Sequence, residues 1–198
     1  MAGYDKDFYE MITKGARTSA GIILALLGPA PKTVVDVGCG SGGWLETFEE
    51  QGSFEVRGYD GPWAAWPRTT PLDMTSGPLD FGTADLALCL EVAEHLDAAR
   101  APFLIEALCA CADRVVFSAA IPRQGGVGHV NEQWPDYWAK LFSACGFGLE
   151  EDFRTTIWAD ERIEPWYRQN LLVYAKGQPY VEPLRLVHPL VWEAKYPR

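Results

Sequence analysis

Residues 33–46, TVVDVGCGSGGWLE, constrain the fold of this 198-residue chain more than any other stretch. Thr33, Val34, Val35 and Val37 make a short run rich in β-branched residues, which reads as a buried strand. Gly38, Gly40, Gly42 and Gly43 follow within six positions. Glycine at that density lets the backbone turn through conformations closed to other residues and lets another group approach it closely. GWLETFEEQG then has the pattern of a helix closed by Gly52. Strand, glycine turn and helix in that order open a βαβ unit, and such a unit needs a parallel sheet covered by helices.

The rest of the chain continues the alternation. Residues 5–15 and 18–27 read as two helices, stopped by Gly28, Pro29 and Pro31. FEVRGYD is a second strand, LDM a short strand end, and WAAWPRTTP too rich in proline and tryptophan for a helix. ADLALCL and RVVFSAA are buried strands on either side of a helix, ARAPFLIEALCACA, whose Pro102 fits its first turn. A glycine-rich loop, IPRQGGVGHVNEQ, precedes the helix WPDYWAKLFSACG. FGLEEDF and RQNLLVYAK are two closing strands. This order predicts an α/β fold with a doubly wound, mostly parallel sheet and an antiparallel last strand. The domain is expected over residues 1–177, with 1–30 on the substrate side. Residues 178–198 are a proline-rich extension packed on it, with too many prolines for a helix.

Composition excludes several classes. No run approaches the roughly 20 apolar residues of a membrane span. The opening MAGYDKDFYEM lacks the basic start of a signal peptide, so a cytoplasmic protein is expected. Five cysteines, an odd number with no CxxC, argue for reduced thiols over a disulfide or zinc framework. A net charge of −10 opposes phosphate backbones and makes nucleic acid an unfavoured partner. A small-molecule acceptor, no membrane, and a monomer or homodimer are the expectations that remain.

The glycines admit more than one ligand. No Lys-Ser or Lys-Thr follows them, which removes the phosphate-cradling P-loop. Gly38, Gly40 and Gly43 satisfy the G-x-G-x-x-G spacing of dinucleotide sites, with Asp60 near the distance of a ribose-binding acid. Yet Asp36 stands two residues before the first glycine, and Glu46, Glu49 and Glu50 lie on the following helix. The helix acids do nothing to help a pyrophosphate, and Asp36 would repel one while suiting a ligand that carries an ammonium and a sulfonium.

VVDVGCGSG resembles the first motif of class I S-adenosylmethionine-dependent methyltransferases, and further pieces line up in that family's order between residues 17 and 176. The resemblance implies a Rossmann-like, seven-stranded sheet and S-adenosylmethionine as cofactor, with S-adenosylhomocysteine as product. It places Asp36, Gly38, Cys39 and Gly40 against the methionine end, and Asp60 with Gly61 at the ribose. Asp73 and Met74 fall at the adenine, and Leu90 within ADLALCLEVAEHL, the family's fourth motif, beside the transferred methyl group. Trp63 and Trp66 either cover the adenosine or pack their loop.

Methyl transfer needs alignment and, for an oxygen or nitrogen acceptor, a base. Histidine suits that task near neutral pH. His129, in the loop after the fifth strand, is the favoured base or orienting group; His95 and Glu91 are the other candidates, and His188 is read as structural. Glu91, Glu94 and His95 have the spacing of one helical face, and with His129 they could hold a divalent ion. The same E-x-x-E-H pattern occurs in metal-dependent methyltransferases and, without metal, in many others; no metal site is assigned. Tyr4, Phe8, Tyr9, Trp134, Tyr137, Trp138, Trp158 and Trp166 either line an acceptor pocket or simply pack. The leading reading is methyl transfer to an O or N atom of a small, aromatic or sugar-containing molecule. RNA 2′-O-methylation, a non-catalytic cofactor-binding partner or sensor, and nicotinamide oxidoreduction follow it.

Overall fold

The computed structural model describes residues 6–53 and 55–195, with side chains from residue 13 onward except that of Glu151. Seven strands form one sheet: β1 (Thr33–Val37), β2 (Glu55–Asp60), β3 (Thr69–Pro71), β4 (Leu86–Leu90), β5 (Arg114–Ser118), β6 (Phe147–Glu151) and β7 (Leu172–Lys176). Their order is β3-β2-β1-β4-β5-β7-β6. β1 to β5 pair in parallel, and β7 runs antiparallel to both β5 and β6. This is the doubly wound, Rossmann-like arrangement anticipated from the sequence.

Alternation along each strand feeds two cores. Val35, Val37, Ala87, Cys89, Val115 and Phe117 face one layer, packed by α3 (Ala101–Cys111) and α4 (Pro135–Ala144). Val34, Leu86, Leu88, Leu90 and Val116 face the other, with α1 (Lys6–Leu27), α2 (Gly43–Glu50) and residues of α5 (Phe153–Ile157) and α6 (Pro165–Asn170). The period of two therefore puts Asp36 on the α1–α2 side, an acid inside an otherwise apolar strand. Chain direction across the sheet reverses between β1 and β4, and in sheets of this type ligands bind beyond the carboxyl ends at that point.

Three expectations need correction. Residues 6–27 form one helix, not two. Gly15 does not break it; a Cβ there would come 1.7 Å from Glu164 Oε1, so glycine allows close approach of the segment before α6. Thr18 bonds back to the Lys14 carbonyl, the way a hydroxyl behaves inside a helix. The third strand is Thr69–Pro71, not LDM, because Asp73 closes a turn by accepting from Thr75 N, Thr75 Oγ1 and Ser76 Oγ.

The tail also departs from expectation. After an irregular stretch it ends in α7 (Pro189–Lys195), since the last described proline sits at the first helical position, where the missing N–H is harmless. Arg185 forms a two-point ion pair with Asp136, Arg154 Nη1 donates to the Leu184 carbonyl, and Gln169 Nε2 donates to that of Leu186. His188, read as structural, is buried: Nδ1 accepts from Leu190 N, and Nε2 lies 2.8 Å from the Trp158 carbonyl. All five cysteines are free. Among the described residues no helix is long and apolar enough to cross a membrane.

Candidate active site at the carboxyl edge of the sheet

A cavity of about 560 Å³ opens at the carboxyl ends of β1, β2 and β4. Gly38, Asp60, Asp73, Met74, Glu91 and His95 contribute to its wall. These residues come from four separate segments that the sequence had set at strand ends.

The glycine loop is shaped for close approach. Gly38 has φ +84° and Gly40 φ +53°, both in the region open chiefly to glycine. A Cβ on Gly38 would lie 2.2 Å from Val92 Cγ2, so the first glycine is required by the chain after β4 as much as by a ligand. Asp60, nearly buried, holds this loop: its Oδ2 accepts from Gly40 N at 2.8 Å and its Oδ1 from Gly61 N at 2.7 Å.

Asp36 lies beneath the loop, 3% exposed. Burial, and then the negative charge of Asp60, push its carboxyl up to about 8. A buried acid in this state is poised for a cation, whose approach restores the ionised form. Asp73 is the opposite case. The Ser76 and Thr75 hydroxyls and the Thr75 amide hold it down to about 2, so it stays an anion on the cavity wall.

Two of the expected cofactor residues turn away from the cavity. Cys39 packs into the core with Sγ 3.4 Å from Thr69 Oγ1. Leu90 is buried among core residues on the α1–α2 side. The tryptophans divide as well. Trp66 is buried against Gly42 and Gly58, whereas Trp63, 68% exposed, lines the cavity.

Glu91 also lines the cavity. It is not on a helix with Glu94 and His95, as the spacing suggested, but in a left-handed residue (φ 55°) directly after β4. The short 3₁₀ turn Ala93–His95 begins only after it. A non-glycine residue held there carries strain that its surroundings must offset. Glu91 N donates to Ser118 O, and its carboxylate accepts from Asn170 Nδ2 at 3.0 and 3.2 Å and from Gln124 Nε2 at 3.5 Å. Burial raises its carboxyl to about 7 even against those hydrogen bonds.

Asn170 and Gln124 were not anticipated. Gln124 lay inside the flagged loop, and the polar triplet Arg168-Gln169-Asn170 just before an apolar strand was the available signal for the other.

Glu94 is fully buried; its Oε1 accepts from Ala120 N at 3.2 Å while Oε2 has no partner. Burial, then the charge of Glu91, raise it to about 9. His95 borders the cavity, and its pKa is lowered by burial and by the neighbouring His129. His129 stands behind Gly128, its ring edge-on to His95 at 4.8 Å. Its Nδ1 lies 3.0 Å from Glu132 Oε1. Glu132 also accepts from Arg123 N and Gly125 N, so one carboxylate organises the whole loop. One ligand atom each from Glu94, His95 and His129 lie within 4.8 Å of one another. With the unpartnered Glu94 oxygen, this set fits a divalent cation of intermediate hardness, which would supply positive charge beside the acceptor.

Of the aromatic residues considered for the pocket, Trp138 is core, packed on Phe117 at 5.2 Å. Tyr137 packs partly buried against the same core, and Trp166 against the other. Trp158 packs on His188 at 4.6 Å. Trp134 lines a second cavity beside the tail. Tyr4 and the side chains of Phe8 and Tyr9 lie outside the described residues.

The comparisons agree with this geometry. Residues 8–143 match the family model described as a methyltransferase domain. The chain belongs to that family and is an S-adenosylmethionine-dependent methyltransferase. Among curated proteins none matches its sequence.

Solved structures share its fold at low identity. One is the magnesium protoporphyrin IX methyltransferase of Synechocystis with bound S-adenosylmethionine: 18% identity, 88% of this chain, 86% of that one, TM-score 0.60. Another is an S-adenosylmethionine-dependent methyltransferase of Archaeoglobus fulgidus: 20% identity, 87% and all of the respective chains, TM-score 0.58. Human N-acetylserotonin methyltransferase covers 86% of this chain and 55% of its own, at 15% identity and TM-score 0.55.

Proposed function

We propose that this methyltransferase transfers the methyl group to an O or N atom of a small molecule, with the donor in the 560 Å³ cavity. One observation carries the reading. Asp36, kept protonated by burial, and Asp73, kept ionised by its hydroxyl partners, stand with Asp60 around the donor's place, while a titratable pair, Glu91 and His95, borders the same cavity.

In this reading Asp36 faces the ammonium and sulfonium side of the donor, Asp60 the ribose hydroxyls, and Asp73 with Met74 the adenine. Gly38 and Gly40 let the backbone come close. Trp63 covers the adenosine, and Trp66 only supports the loop.

The reaction is an in-line displacement: the acceptor's lone pair forms the new bond to the methyl carbon as the C–S bond breaks. The sulfur keeps that electron pair, which neutralises the sulfonium. The acceptor's proton passes to a base at the cavity wall. His95, kept neutral by burial, and Glu91 are the groups within reach of the acceptor. His129, paired with Glu132, is a positioning residue for His95 rather than the base itself.

Calorimetric titration with S-adenosylhomocysteine tests the reading. Micromolar binding, weakened at least tenfold in Asp60→Ala, is the expected result. Binding of NADH in its place would overturn it.

A further inference from the structure

A second cavity, about 410 Å³, lies between the loop after β5 and the C-terminal helix α7. That volume is at the small end of ligand pockets. Its apolar wall is Ile121, Pro122, Trp134, Val187, Val191 and Trp192. Its polar groups are Arg123, Gln124 and Lys195.

Two cations converge on this cavity in an acidic molecule. The chain carries a net charge of −10, and Arg17, Arg68, Arg114, Arg162, Lys176 and Arg185 each meet a carboxylate. Arg123 and Lys195 form no ion pair with any described residue, yet both face one cavity. The Lys195 ammonium lies over Gly125, 3.1 Å from where a Cβ would stand. Arg123 is the second non-glycine residue with a positive φ, at 70°. Its backbone is held there by Glu132, which accepts from Arg123 N at 2.7 Å. Glu132 is the nearby carboxylate, and its oxygens are already taken by Arg123 N, Gly125 N and His129 Nδ1. Strain of this kind persists where surroundings over-determine it, and such positions cluster at binding sites.

Gln124 joins this cavity to the donor's. Its Oε1 accepts from Asn170 Nδ2 and from Ile121 N, and its Nε2 donates to Glu91, which borders the other space. A molecule seated beside Trp134 and Trp192 therefore presents its inner end toward Gln124 and Glu91.

We infer that this cavity is the acceptor pocket and that the acceptor is a small amphipathic acid, with a flat apolar body against Trp134 and Trp192 and an anionic group on Arg123 and Lys195. The inference deepens the methyl-transfer reading and rests on it. Opposite charge gives the pocket its selectivity, because an uncharged analogue leaves both cations without a partner.

The test is calorimetric titration of the S-adenosylhomocysteine-loaded protein with 2-naphthoate and with its uncharged counterpart 2-naphthamide. The acid is expected to bind roughly tenfold tighter or better, as charge-assisted contacts do. The Arg123→Gln/Lys195→Gln variant should bind acid and amide alike, with unchanged affinity for S-adenosylhomocysteine. Those two side chains are on the surface, so the cofactor affinity also reports an intact fold. Equal binding of acid and amide to the wild type, no binding of either, or a preference surviving in the double variant overturns the inference. Failure of S-adenosylhomocysteine itself to bind strikes the methyl-transfer reading instead, and takes this inference with it.

Discussion

Binding of S-adenosylmethionine should expel a proton from Asp36, and the effect is large enough to measure. In the free protein the carboxyl titrates at about 8 because it is buried and faces Asp60. At pH 7 only about a tenth of molecules carry it ionised, and at pH 6 about a hundredth. An opposite charge within about 4–6 Å lowers a carboxyl pKa by 1–3 units, so the bound form is expected to titrate between about 5 and 7. Apparent affinity scales with the fraction in the binding-competent state. It should therefore rise about 8- to 80-fold between pH 6 and pH 9, with about 0.4–0.9 proton released per cofactor at pH 7.

Calorimetry in two buffers of different ionisation enthalpy counts the proton directly, and a series of titrations from pH 6 to 9 gives the slope. Asp36→Asn should reduce both, and what remains is titration of the cofactor itself and of other groups. A pH-independent affinity in the wild type, or an undiminished slope and proton count in Asp36→Asn, would refute the reasoning. The sign is opposite for the free protein. Its folded pKa lies above the unfolded 3.8, so the folded chain keeps a proton the unfolded chain gives up. That contribution to stability is whole below pH 3.8 and is lost as pH climbs through about 8.

Three further outcomes are expected. Gly38→Ala forces a Cβ to 2.2 Å from Val92 at a positive φ, so urea unfolding should show a loss of roughly 1–3 kcal/mol; a change under about 0.5 kcal/mol would contradict the packing argument. Glu132→Gln removes the charge on which Arg123 N, Gly125 N and His129 converge; kcat should fall about tenfold while S-adenosylhomocysteine affinity stays within about twofold, and equal losses in both would show a general collapse of the loop. Arg154 is fully buried, bonded to Asp152 and to the Leu184 carbonyl, so Arg154→Met should cost roughly 3 kcal/mol and expose the tail to trypsin after Arg185. Thermal denaturation and limited proteolysis read the two effects; an unaltered tail would mean its other ties suffice.

What could be read without the fold was whatever a residue demands of its own neighbourhood. The valines of β1, the glycines that must adopt positive φ, and an acid at the end of β2 announce a strand, a turn and a ligand by local stereochemistry. Alternation gave a doubly wound, mostly parallel sheet with an antiparallel close, while seven strands came with the family resemblance and their order only with the structure. The places that misled are those where a distant segment overrode a local signal. Residues 5–15 and 18–27 read as two helices, but residues 6–27 run on as one, packed on α2 and against Glu164. Glu91, Glu94 and His95 look like one helical face until Ser118, Asn170 and Gln124 hold Glu91 in a left-handed turn.

Cys39 and Leu90 sit inside the right motifs, but which way a side chain points is decided by the layers above and below the sheet. Asn170 meets Glu91 across 79 positions of sequence. Arg123 and Lys195 share a cavity only because α7 folds back over the loop after β5. By itself the sequence determined the strand, the glycine turn and the acids beside it, because those are local backbone requirements, and their resemblance to a known family carried the class of protein. Tertiary structure decided the protonation of Asp36 and Glu91 and the walls of the acceptor pocket, because burial and convergence exist only once distant segments have packed.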